Sequence, residues 1–199
     1  MGEPDRVFAL VLAAGESRRL GQPKQLLDLG GKALVAHVAE QAVSAPVDGV
    51  VVVIGSHASE VELALRGLAV YRVFNPHFAL GQGSSLAAGI RAMPSTVDAV
   101  VVVLGDVPAV TPEAIGAVVA RWRETRAPAV VTRYGGQQGH PVLFDRSVFF
   151  ELASLSGDIG GRDILRSLGD LVEVIDLPGE MPPDVDTEED WERLQREWS

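Results

Sequence analysis

No cysteine occurs anywhere in the 199 residues. Disulfides, thiolate zinc sites, iron–sulfur clusters and a cysteine nucleophile are therefore excluded. Any metal must be held by carboxylates and histidine, which favours a hard cation such as Mg²⁺. Long hydrophobic runs are also missing, and none approaches the ~20 residues needed to span a bilayer. The opening MGEPDRVFAL has no basic region followed by a long apolar segment, so no signal peptide is evident. The expectation is a soluble, cytoplasmic protein. Positive charge is in deficit: 17 basic against 27 acidic residues give a formal charge of −10. Such a chain repels nucleic acid and anionic membrane surface at long range, so neither is expected as a partner. An anionic substrate would have to be met by a local basic cluster.

What is present is apolar and aliphatic. Hydrophobic residues make up 47% and aromatics only 6%. That is enough to bury a full core, and the length suits one α/β domain over residues 1–199. Strand-like runs occur at Val7–Val11, Gly49–Ile54, Val70–Phe74, Ala99–Leu104, Ala129–Arg133, Pro141–Phe144 and Val172–Ile175. Helix-like runs lie between them: Lys32–Ser44, Ser59–Arg66, Leu86–Met93, Val148–Ala153 and Arg162–Leu168. Thr111-Pro112 starts a helix to about Arg123, and Thr187 caps a closing one to about Glu197. Repeated β-α-β units predict a mostly parallel, twisted sheet with helices on both faces. The glycine-rich turn Gly135–Gly139 predicts at least one antiparallel strand. Ligands of such sheets bind beyond the carboxyl ends of the strands.

Several stretches on that side carry chemistry. Leu12–Lys24, LAAGESRRLGQPK, follows the first apolar run. Its small residues let backbone approach a ligand, Ser17 can cap a helix or accept a hydrogen bond, and Arg19 and Lys24 offer charge to a triphosphate. A solvated basic turn explains the same residues equally well. Asp106 comes just after the valine-rich run Ala99–Leu104, where a carboxylate would meet a phosphate-bound metal; it also reads as a turn-forming Asp before Pro108. Asp184–Asp190 reads as an acidic helix start, or as the source of a second metal carboxylate if it converges with another. Gly81–Ser85 reads as a small-residue loop. His140 falls in a turn, and Gly157–Arg162 is a flexible loop with an arginine. Ser17 has no sign of an activated nucleophile.

Taken together, these pieces resemble the MobA-like nucleotidyltransferase family, in particular its molybdenum cofactor cytidylyltransferase branch. LAAGESRRLGQPK is similar to the family's L-A-A-G-x-S-x-R-M-G-x-x-K, with Leu20 for Met. The Gly/Ser stretch at 81–86, Gly105-Asp106-Val107-Pro108, Gly139-His140-Pro141, Gly157–Arg162 and Asp184–Asp190 follow in the family's order. Gly161 stands for the family's Ala and Glu188 for its Pro.

The resemblance implies a three-layer, Rossmann-like nucleotidyltransferase fold. It implies Mg²⁺-dependent transfer of a nucleoside monophosphate from an NTP to a phosphorylated acceptor, with release of pyrophosphate. Arg19, Lys24 and Asp106 are then the catalytic residues, and Asp106 and Asp186 the metal ligands. Leu12, Ala13, Ala14, Gly15, Arg19, Lys24, Gly81, Ser84, Ser85 and Asp106 would bind nucleotide. His140, Asp158 and Arg162 would face the acceptor. Guanylyl-transferring relatives tend to have Gly at the position of Ala14, so CTP is the expected nucleotide. The implied partners are a pterin-type acceptor phosphate and a molybdoenzyme or its chaperone. Transfer to another small phosphate, such as a sugar phosphate, is the alternative within the superfamily. An NAD(P)H-dependent oxidoreductase or a non-catalytic cofactor-binding protein are alternatives outside it.

Overall fold

The continuous valine runs lie where a strand is covered on both faces. In the computed structural model, which describes residues 5–17, 20–157 and 160–198, strands β1 (Val7–Ala13), β2 (Gly49–Ile54) and β4 (Ala99–Leu104) are buried along nearly their whole length. The mixed run forms β3 (Tyr71–Phe74), largely exposed at one edge. The other strands are β5 (Ala129–Tyr134), β6 (Gln137–Asp145) and β7 (Val172–Leu177). They make one seven-stranded sheet in the order β3-β2-β1-β4-β6-β5-β7. All neighbouring pairs are parallel except those of β6, which runs against both β4 and β5.

Helices cover both faces. On one lie α1 (Leu34–Ser44), α2 (Ala58–Ala64) and α4 (Pro112–Thr125), which bury Val35, Val38, Val61, Ile115 and Trp122. On the other lie α3 (Gln82–Arg91), α5 (Phe149–Ala153) and α6 (Gly161–Leu168), through Leu86, Ile90, Leu152 and Ile164. Helix α3 sits close to the sheet because residue 89 is glycine; a Cβ there would lie 2.5 Å from Leu10 Cδ1. A last helix, α7 (Glu188–Glu197), places Trp191 and Leu194 on Leu27, Leu29 and Leu34 in a separate small cluster. This is the three-layer arrangement expected from the sequence.

Two local readings are corrected. Gly81–Ser85 is not a loop: α3 begins at Gln82, so Ser84 and Ser85 lie in its first turn. His140 is not in a turn but on β6. The hairpin turns earlier, at Gly135 (φ 54°) and Gly136 (φ 87°), a pair whose left-handed backbone suits a two-residue connection. Arg19 and Asp158, both singled out from the sequence, lie outside the described residues.

Candidate active site

From β1 the chain crosses to β2 and β3 on one side, then returns to β4 on the other. The order therefore reverses between β1 and β4, and a crevice opens beyond their carboxyl ends. A cavity of about 310 Å³ occupies it, bordered by Leu12, Ala14 and Gly15 from one loop and Leu104, Gly105 and Asp106 from the other.

Two glycines bring the backbones this close. The Gly105 amide donates to the Leu12 carbonyl at 2.9 Å. A Cβ on Gly105 would lie 2.9 Å from that oxygen and 3.0 Å from Ala13 Cβ. Gly55 works the same way after β2: its Cβ would lie 2.8 Å from the Ala14 carbonyl oxygen, which accepts from the Ser56 amide at 3.1 Å. Ala14 is thereby fixed by backbone contacts, with its side chain against the cavity.

The loop then folds back. Ser17, at φ 54°, caps no helix; its Oγ accepts from the Lys24 amide at 3.0 Å. Gln25 is buried, and its Nε2 donates to the Gly15 carbonyl at 2.6 Å. These bonds carry Lys24 to the cavity. Its ammonium lies between two carboxylates, hydrogen-bonded to Asp106 Oδ2 and, at 2.8 Å, to Asp186 Oδ1. Burial works against the ammonium, but the two carboxylates outweigh it and hold its pKa above the ordinary lysine value.

Asp186 reaches this point through two devices. The Val185 amide donates to the Asp106 carbonyl at 3.2 Å. The carboxylate of Asp190 accepts from the Asp186 amide at 3.3 Å and the Thr187 amide at 3.0 Å, as part of the capping box that starts α7. The Thr187 hydroxyl bond, with these amides, holds the Asp190 pKa below its usual value.

Among the described residues no three His, Asp or Glu side chains group to hold a metal. Two carboxylates from separate segments do converge on one cation. That hard, two-oxygen donor set fits a divalent cation whose remaining positions are filled by water and phosphate oxygens.

The cavity gathers Leu12, Ala14, Gly15, Lys24, Gly81, Ser85 and Asp106 from the expected set, with Asp186 joined through Lys24. Two described residues of the expected nucleotide-binding set do not line it. Ala13 alternates to the opposite face of β1 and packs in the core. Ser84 turns away, donating to the carbonyls of His77 and Gly81. His140 and Arg162 are also outside its lining. Burial lowers the His140 pKa, against a backbone bond with Val102, and its Nδ1 is buried without a partner. Its ring is therefore neutral near pH 7.

The structure adds residues the sequence did not mark. Gln82, Phe78 and Ala79 form the cavity's far wall, and Gln25 supports its floor. Asn75 is buried and donates to Ser84 Oγ at 3.0 Å and Ser85 Oγ at 3.1 Å. No local sequence pattern marks Gln25 for its supporting role.

The chain is similar to known proteins in sequence and fold. A nicotine blue oxidoreductase of Paenarthrobacter nicotinovorans is 36% identical, over 98% of this chain and all of that protein. The purine catabolism protein PucB of Bacillus subtilis is 31% identical, over 97% of this chain and 98% of its own. The crystal structure of Rv0371c from Mycobacterium tuberculosis in complex with manganese superposes with a TM-score of 0.80 at 32% identity, covering 96% of this chain and 98% of that one. The MobA-like NTP transferase domain matches residues 9–172. The chain belongs to the MobA-like NTP transferase family and is a nucleotidyltransferase.

Proposed function

We propose that the protein transfers CMP from CTP to the phosphate of a molybdopterin-type cofactor, in a Mg²⁺-dependent reaction that releases pyrophosphate. The observation that carries this reading is the meeting of Lys24, Asp106 and Asp186 beyond β1 and β4. An oxygen of the acceptor phosphate attacks the α-phosphorus of CTP, and the bond to the bridging oxygen breaks as pyrophosphate leaves. The attacking oxygen is already anionic, so no general base is needed; positioning and charge neutralisation do most of the work.

The ammonium of Lys24 neutralises charge on the triphosphate and the departing pyrophosphate, a role the family likeness assigns to Arg19 as well. Asp106 and Asp186 hold the divalent cation, which when bound supplies further neutralisation of the phosphate oxygens. A relative of this chain was crystallised with manganese, which supports a divalent site. The backbone at Leu12–Gly15 approaches the nucleotide, and the methyl of Ala14 narrows the space for a purine. Ser85, whose Oγ accepts from Asn75, keeps its proton to donate to the base. The family likeness assigns acceptor binding to His140, Asp158 and Arg162, with residues 1–199 acting as one domain in the cytoplasm.

The similarity to nicotine blue oxidoreductase favours a second reading, an oxidoreductase. Against it, the first loop lacks the G-x-G-x-x-G pattern of dinucleotide sites. One assay separates them: incubate the protein with Mg²⁺, each NTP in turn and molybdenum cofactor, and measure pyrophosphate. Release with CTP above all others is expected, together with a larger thermal shift for Mg²⁺-CTP than for Mg²⁺-GTP. Equal shifts overturn the choice of base. No pyrophosphate with any NTP, alongside oxidation of NAD(P)H, overturns the transferase reading of this protein.

A further inference from the structure

Lys24 stands in an unusual place for a residue expected to meet phosphate. Its ammonium takes the oxygens Asp106 Oδ2 and Asp186 Oδ1, the two carboxylates that would hold a divalent cation. The three side chains are largely shielded, 16%, 13% and 33% exposed for Lys24, Asp106 and Asp186. Metal and ammonium cannot both take the same two oxygens at bonding distance without setting positive centres side by side. The anchoring differs between the partners. The Lys24 backbone is held by Ser17 Oγ, but its four-carbon stem is flexible enough to carry the ammonium elsewhere. The Asp186 backbone is fixed by Asp190 and that of Asp106 by Val185.

We infer that Lys24 is a displaceable internal counter-ion, which blocks the divalent cation until a triphosphate draws the ammonium away. This rests on the reading of Asp106 and Asp186 as metal ligands. The ammonium cancels one unit of the pair's negative charge and occupies an oxygen of each carboxylate, so free cation binds poorly. A triphosphate offers the ammonium another home and clears the pair. Nucleotide and metal then favour each other's binding, and the coupling is reciprocal by thermodynamic necessity.

The test is a Mn²⁺ titration without nucleotide, read by the loss of the free-ion electron paramagnetic resonance signal. It compares wild type, Lys24→Met and Lys24→Gln, each with and without Asp106→Asn, after circular dichroism confirms folding. Each neutral variant should bind one Mn²⁺ at least tenfold more tightly than wild type, and Asp106→Asn should remove that site. If Asp106→Asn removes the site but neither variant binds more tightly, the counter-ion role is overturned and the metal site stands. If Asp106→Asn changes no titration, the metal-site reading itself falls. A second measurement needs no variant: saturating Mn²⁺ should speed acetylation of Lys24 by acetic anhydride several-fold, read by mass spectrometry. Unchanged labelling with Mn²⁺ bound means that the ammonium was not displaced, which also overturns the proposal.

Discussion

Two cavities flank the first turn of α3, and the larger is the less equipped for chemistry. The smaller, about 310 Å³, lies at the strand ends and draws Lys24, Asp106, Gly15 and Ser85 to one point. The larger, about 440 Å³, lies toward the β3 edge and is lined by Val73, Phe74, Leu80, Ala88 and Leu155 with a single arginine, Arg91. That arginine donates to the Ala153 carbonyl. The two spaces share one residue's hydrogen bonds: Asn75 reaches Ser84, which borders the larger, and Ser85, which borders the smaller. The contrast separates volume from function. Phosphate chemistry needs opposite charges and backbone brought together by strand ends, and the switch between β1 and β4 supplies both.

The sharpest way to break this comparison is a paired activity measurement. Asp106→Asn and Lys24→Ala should each lower turnover at least tenfold, about 1.4 kcal/mol in transition-state terms. Arg91→Ala in the larger cavity should leave turnover within about twofold, under ~0.5 kcal/mol on the same scale. A matching loss for Arg91→Ala would show that the two cavities act together.

Next in size is Asn75→Ala. Ser84 keeps its two carbonyl acceptors, so the loss should sit near ~1 kcal/mol in urea unfolding rather than at the upper end for buried polar groups. An unchanged midpoint would mean that Asn75 does not hold the turn between the cavities. A pH effect belongs to the smaller cavity alone. The Lys24 pKa is raised on folding, so its contribution is fully present below the ordinary lysine value of 10.5. It is lost as pH rises through the folded value. Wild type should therefore lose melting temperature in that alkaline window more steeply than Lys24→Met. Parallel curves would show that the ion cluster adds nothing to stability. The smallest expected effect distinguishes neighbouring serines: Ser85→Ala should raise KM for the nucleotide roughly twofold, about 0.5 kcal/mol, and Ser84→Ala should leave KM unchanged.

Much of the frame was legible because it rests on local chemistry. Two β-branched runs mark β2 and β4 to the residue, and Thr111-Pro112 and Thr187 mark the helix starts they cap. The first turn of α3 was read as a loop because Gln82, Gly83, Ser84 and Ser85 present no apolar period. It is held by Asn75 and by the carbonyls of His77 and Gly81, polar bonds that a search for apolar periodicity does not register. His140 was misplaced because Gly139 imitates a turn. In the fold Gly139 serves close packing: a Cβ would lie 3.1 Å from Tyr134 Cδ2 and 3.2 Å from Met181 Cγ. The meeting of Lys24 with Asp106 and Asp186 was implied only by family likeness, since its partners are far apart in the chain.

That separation has a consequence for how the molecule assembles. The two bonds of Lys24 close loops of 82 and 162 residues. The second depends on the segment around Val185 and on α7, which adhere through the small cluster of Trp191 and Leu194 rather than through the main core. Sheet strands can pair without that segment, whereas Asp186 arrives only with it. Local detachment of α7 would thus dismantle the charged centre while every strand stays paired, a partial opening far cheaper than global unfolding. Activity and foldedness are separable quantities in this chain, and the first can be lost long before the second.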